Sequence, residues 1–131
     1  MDQFSPPPGR LFLVDDDPAV LAALRFRFEA DGYNVVAMTS GEDLIEDPPL
    51  DDRSCIVIDQ RLPGLTGLET VTRLRAAGVE TPAILITSNP SHAVQRGASK
   101  LAISIIEKPL IGDALTRRRP VVWPARMRVK Q

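Results

Sequence analysis

Leu11-Phe12-Leu13-Val14-Asp15-Asp16-Asp17-Pro18 sets an apolar run, an acidic triplet and a proline side by side. Four apolar residues bounded by charge read as a buried strand. Asp17 before Pro18 reads as a helix start, since proline suits the first helical position and an aspartate ahead of it can cap free backbone amides. Val20, Leu21, Leu24 and Phe28 then recur at helical spacing until Gly32. A buried strand that turns at once into an amphipathic helix is the first half of a strand-helix-strand unit, so the question is whether the pattern repeats.

It repeats along most of the chain. Asn34 to Met38 forms a second strand, and Ser40 caps a short helix through Ile45 that Pro48-Pro49 ends. A third strand is expected at Ser54 to Ile58. Gln60 to Gly67 is a loop punctuated by glycine and proline, and Leu68, Val71, Leu74 and Arg75 open a helix that runs to Gly78. A fourth strand follows Pro82, a helix fits roughly Pro90 to Lys100, and a fifth strand starts at Ile103. Leu110, Ile111, Ala114 and Leu115 lie on a last helix cut off by Pro120. Five alternations of strand and helix imply an α/β fold with right-handed crossovers, a parallel sheet and helices on both faces.

The 131 residues fit one domain with a real core, and 44% hydrophobic with 25% charged residues is the balance of an ordinary globular protein. No apolar stretch approaches the length of a membrane span, and Met1-Asp2-Gln3-Phe4 lacks the character of a signal peptide, so a cytoplasmic location is expected. The single cysteine, Cys55, cannot form an internal disulfide and reads as a small buried hydrophobe. Net charge is unevenly spread. Residues 110–131 hold six basic residues against one acid, a net of +5, which leaves −6 for the rest. The acidic body argues against nucleic-acid binding by the domain.

The chemistry sits at the strand ends. Asp15 follows the first strand, Asp59 the third, Thr87 the fourth, and Glu107 with Lys108 the fifth. In an open parallel sheet these ends converge on one crevice. Asp15, Asp16 and Asp17 alone could be a helix-capping cluster. Asp59 beside them alters the reading, because packed carboxylates repel until a cation neutralises them. Magnesium suits such a site, taking one or two carboxylates, several waters and phosphate oxygens. Asp59 is also a candidate nucleophile that could carry a phosphoryl group, with Lys108 as a point charge and Thr87 as a hydroxyl donor. His92 has no second histidine or cysteine nearby and reads as a surface residue.

Leu13-Val14-Asp15-Asp16-Asp17-Pro18, Ile58-Asp59 with Leu62-Pro63-Gly64 and Thr66-Gly67-Leu68-Glu69, Ile86-Thr87-Ser88, and Glu107-Lys108-Pro109 together resemble the successive motifs of a response-regulator receiver domain, over about residues 11–116. The resemblance implies a flavodoxin-like, doubly wound sheet in the order 2-1-3-4-5. It implies Asp59 as phosphoacceptor and Mg2+ held by Asp16, Asp59 and the backbone carbonyl of Arg61, with Asp15 acting through water. Thr87 and Lys108 would bind the phosphoryl oxygens, Thr87 and Ile105 would form the switch, and the Lys108–Pro109 peptide would be cis. The donor would be a sensor histidine kinase or phosphotransfer protein, and a homodimer through the helix 4 to helix 5 face is a further partner to expect. The nearest subgroup is the DNA-binding regulators whose receivers carry a similar Glu-Lys-Pro ending.

Two departures from that family pattern stand out. Ile105 occupies the position, three residues before the lysine, where the family usually places tyrosine or phenylalanine, and the stretch from Thr87 to Lys108 is about one residue short. After Pro109 only 22 residues remain, fewer than the roughly 50 of a small independent domain. The expected layout is a flexible lead-in over 1–10, a single receiver domain over 11–119 and a poorly ordered basic tail over 120–131, with no DNA-binding domain. The expected activity is a phosphorylation-dependent switch rather than an enzyme on an outside substrate. The rivals are a phosphorylation-independent interaction module and a Mg2+-dependent phosphatase. The phosphatase would need a second acid or base beside Asp59, such as an Asp two residues later, where Arg61 stands.

Overall fold

The computed structural model describes residues 9–108. The elements alternate as β1 (Arg10–Val14), α1 (Pro18–Ala30), β2 (Asn34–Met38), α2 (Gly41–Glu46), β3 (Cys55–Asp59), α3 (Gly67–Ala76), β4 (Ala83–Thr87), α4 (His92–Leu101) and β5 (Ser104–Glu107). The strands form one five-stranded sheet in the order β2-β1-β3-β4-β5, and every pairing is parallel. The parallel sheet is the one that the alternation implied, and its order is the doubly wound order that the family resemblance implied.

Local chemistry starts each helix. Asp17 caps α1 by accepting from the amides of Ala19 and Val20, with Pro18 in the first turn. Ser40 caps α2 through the amide of Asp43. Thr66 and Glu69 form a reciprocal capping box on α3, which satisfies two backbone amides at once. α4 begins at His92 and not near Pro90, because Ser91 takes the cap position and its hydroxyl accepts from the amide of Val94.

Side chains alternate across the sheet and build a core on each face. Leu11, Leu13, Val57, Ile84 and Ile86 point to one side, where Leu24 and Phe28 of α1 cover them. Phe12, Val14, Ile56, Ile58 and Leu85 point to the other, against Leu44 of α2, Val71 and Leu74 of α3 and Ala98 of α4. Strands buried on both faces need continuous apolar runs, which is why β3 reads Cys-Ile-Val-Ile and β4 Ala-Ile-Leu-Ile. Cys55 is buried. No helix among the described residues is long and apolar enough to cross a membrane. The helix expected over Leu110 to Leu115, the basic tail and the Lys108–Pro109 peptide lie outside the described residues.

Candidate functional site

Three strands deliver the site. β1 runs directly into Asp15, whose amide still bonds to Met38 of the neighbouring strand at 3.1 Å, so the carboxylate is fixed at the sheet edge and only 2% of the residue is exposed. Asp15 Oδ1 accepts from the amide of Asp17 at 2.9 Å. Asp16, between them, is exposed. Asp59 ends β3 in register with Ile86, and the next residue, Gln60, donates its amide to Ile86 at 2.8 Å, which keeps Asp59 inside the sheet. β3 is thus shifted one residue from the expected Ser54–Ile58, because ladder bonding continues past the apolar run.

Asp15, Asp16 and Asp59 each turn a carboxylate oxygen into one place, and the three ligand atoms lie within 4.8 Å of one another. Asp15 Oδ2 and Asp59 Oδ1 are buried without a hydrogen-bond partner. Lys108 sends Nζ to within 3.2 Å of that same Asp59 Oδ1. The contact supplies opposite charge, but no aligned donor completes the oxygen's coordination. Buried polar atoms are normally satisfied, so two buried carboxylate oxygens without hydrogen-bond donors, in a cluster of three acids, suit a bound cation. Hard oxygen donors of this kind fit a divalent ion such as magnesium.

The electrostatics agree. Burial is the main force pushing the Asp59 carboxyl above its usual range; Lys108 and the backbone amide of Arg61 pull it back, and Asp16 adds to the rise. Asp15 is also raised, again chiefly by burial and then by Asp59, against the pull of the Asp17 amide and Lys108. Ionising both carboxylates therefore carries an energetic disadvantage that a bound cation would remove.

Thr87 ends β4, buried, in register with Glu107 of β5. The amide of Lys108 bonds to the Thr87 carbonyl at 2.9 Å, so the backbone that carries the ammonium is tied to the one that carries the hydroxyl. The hydroxyl itself makes only a long 3.5 Å contact to the carbonyl of Ser88, which leaves it free to turn to a better acceptor. Ile105 pairs with Leu85 and packs in the core on the α2–α4 side of the sheet. Arg61 is exposed, at the start of the β3–α3 loop, and its backbone amide lowers the Asp59 carboxyl. One residue beside the site escaped the sequence reading. Glu42 of α2 accepts from the amide of Leu65 in that loop at 3.0 Å, and no periodicity links two residues so far apart in the chain.

The family model for the response regulator receiver domain matches residues 11–118. The transcriptional regulatory protein FixJ of Azorhizobium caulinodans is 37% identical over 104 residues, which cover 79% of this chain and 49% of the relative. The response regulator MprA of Mycolicibacterium vanbaalenii is 33% identical over 112 residues, 85% of this chain and 48% of the relative. Among solved structures, the signal receiver domain of a modulated diguanylate cyclase from Desulfovibrio desulfuricans G20 superposes with a TM-score of 0.71 at 32% identity, covering 84% of this chain and 89% of that one. The chain spans about half the length of the curated relatives it matches. With a family model matched over most of its length and an acidic cluster at the carboxyl edge of a 2-1-3-4-5 sheet, this chain belongs to the response-regulator receiver family.

Proposed function

We propose that this chain is a phosphorylation-dependent signalling switch in which Asp59 takes a phosphoryl group from a phosphohistidine of a sensor histidine kinase or phosphotransfer protein. An oxygen of Asp59 bonds to phosphorus while the phosphorus–nitrogen bond breaks, and the imidazole of the donor leaves with the electron pair. The observation that carries this reading is Asp59 Oδ1, buried, orphaned of hydrogen bonds and facing the Lys108 ammonium. Asp16, Asp59 and the Arg61 carbonyl would hold Mg2+, with Asp15 acting through a water. Bound there, the ion supplies positive charge that offsets repulsion between the carboxylates and the incoming phosphoryl oxygens. Lys108 neutralises a phosphoryl oxygen as a compact cation, and the weakly engaged Thr87 hydroxyl turns to donate to another.

The output follows from Thr87 and Ile105. Residues two apart on adjacent, in-register strands share a face, so a movement of Thr87 toward Asp59 opens space on the side where Ile105 packs. A β-branched side chain has few rotamers and fills that space by shifting with its backbone. Phosphorylation then biases two arrangements of α4 and β5 and changes affinity for a partner by population shift.

The test is labelling of the whole chain by a small acyl phosphate. Phosphoryl incorporation that needs Mg2+, is abolished by chelator and is lost in Asp59→Asn supports the reading. Equal labelling of Asp59→Asn removes Asp59 from the role, and labelling indifferent to chelator removes the metal.

A further inference from the structure

The loop that joins β3 to α3 is gripped from outside by α2. Glu42 Oε2 accepts from the amide of Leu65 at 3.0 Å, across 23 positions of sequence. Gly64 beneath it has φ of +76°, and a Cβ added there would run into the same carboxylate. Gly64 therefore meets two demands, a left-handed turn and room for Glu42. The grip starts from a fixed base, because Gly41 lies so close to Thr70 that a Cβ would strike its side chain, while the Thr70 hydroxyl bonds to the Thr66 carbonyl at 2.8 Å.

The inner side of the loop is closed against the reacting residue. Gly67 donates its amide to the Gln60 carbonyl at 3.1 Å, and Gln60 Oε1 accepts from the amide of Leu68 at 2.9 Å. A Cβ on Gly67 would lie 2.6 Å from the backbone oxygen of Asp59. Along the chain Arg61 lies between Gln60 of this inner closure and Leu65 of the outer grip, and its backbone amide draws the Asp59 carboxyl down. A short loop fixed at both sides has one place for Arg61; a loop released at Leu65 has several.

We infer that Glu42 is a positioning residue for the phosphorylation site: by holding the Leu65 amide it fixes the loop that sets the Arg61 amide against Asp59 and the Arg61 carbonyl toward the metal. The metal half rests on the assignment of that carbonyl as a Mg2+ ligand under the proposed function. The hydrogen-bonding half does not.

Three variants of the full chain test it. Glu42→Ala removes the acceptor, Glu42→Gln keeps an acceptor oxygen and removes the charge, and Asp43→Asn removes a neighbouring charge of α2 without touching the grip. Amide hydrogen exchange in metal-free protein and calorimetric titration with MgCl2 are read for each. Glu42→Ala is expected to speed exchange at Leu65 and Arg61 and to weaken Mg2+ binding about three- to tenfold, the scale of one lost hydrogen bond. Glu42→Gln should recover most of both, and Asp43→Asn should match the parent chain. Parental exchange at Arg61 in Glu42→Ala would overturn the positioning role. Glu42→Gln and Asp43→Asn both as weak as Glu42→Ala would replace the grip with a general charge effect and overturn it too. A parent chain that fails to bind Mg2+ strikes at the metal assignment, and the exchange arm then decides the grip by itself.

Discussion

Asp51 and Asp59 stand at opposite ends of the same strand and have been treated in opposite ways. Asp51, in the loop before β3, accepts from the amide of Arg53 at 2.9 Å and the Ser54 hydroxyl at 3.0 Å, and Arg10 approaches it at 3.6 Å. These partners, the Arg53 amide foremost, hold its carboxyl below the usual range. Asp59 is buried, short of hydrogen-bond donors and raised. The Asp51 carboxylate is satisfied by the chain, and its work is to close a turn. The Asp59 carboxylate is left incomplete by the chain, and the missing partners are the chemistry. Removing the two charges should therefore have opposite consequences, and each consequence can be measured.

The largest effect is expected on metal affinity. Asp16→Asn keeps an oxygen in the site but removes a full negative charge, and Mg2+ binding should fall about tenfold or more, since hard cations depend on charged oxygen ligands. Asp51→Asn should leave the same affinity unchanged, because Asp51 lies at the far end of β3. Calorimetric titration of the two variants checks the contrast, and equal losses in both would reduce the acidic cluster to a diffuse field.

Next in size is stability without metal. In Asp59→Asn the buried repulsion with Asp15 and Asp16 disappears, and the Lys108 head group, partly exposed, can turn to water. The metal-free variant should melt higher than the parent chain by a few degrees, on the order of 1 kcal/mol. Thermal unfolding in the presence of chelator measures it. A lower Tm would mean that the Lys108–Asp59 pair outweighs the repulsion.

The same contrast explains what could be read from the chain. Apolar runs that end on Asp15, Asp59, Thr87 and Lys108 announce a parallel sheet with a polar edge, because strand direction and period fix where those residues go. The acid of Asp59 was legible as chemistry, since it ends an apolar run in phase with Asp15 and Asp16, and carboxylates brought together repel until a cation neutralises them. The ease of Asp51 was not legible: its partners come from a turn geometry around Arg53 and Ser54 and from Arg10, 41 positions away. Glu42 was hidden for the same reason, as its partner is a backbone amide rather than a side chain with a recognisable type. Strand ends shifted by a residue where polar groups still shared the ladder, as at Asp59, and α4 began later than periodicity placed it because Ser91 captured the cap.

A smaller effect separates the two carboxylates by pH. Asp15 and Asp59 have folded-state values raised above 3.8. The folded state then holds more protons than the unfolded one between 3.8 and those raised values. Their contribution to stability is full below 3.8 and is lost as pH rises through the raised values. Metal-free protein should accordingly gain stability as pH falls through the raised values toward 3.8. Saturating Mg2+ requires both carboxylates ionised, so it should reverse the sign of that slope. Melting curves at several pH values, with MgCl2 and with chelator, test the reversal, and parallel slopes in the two series would deny that the raised carboxylates face the metal.

The smallest effect belongs to Asp51, and its sign is what matters. The folded value of Asp51 lies below 3.8. A lowered carboxyl contributes stability that is present above the unfolded value and is lost only as pH falls through the folded one. Asp51→Asn should lower the Tm slightly at pH 7, because the amide accepts more weakly from the Arg53 amide and the Ser54 hydroxyl and no longer attracts Arg10. Below the folded value of Asp51 the parent chain has lost the same charge, so the gap between the two should close in strong acid. The stability of the variant should also respond to Mg2+ as the parent chain does. Paired melts at pH 7 and in acid decide it: a gap that persists in acid assigns the loss to packing or to the turn rather than to the carboxylate, and a gap that widens with Mg2+ would tie Asp51 to the site at the other end of the strand.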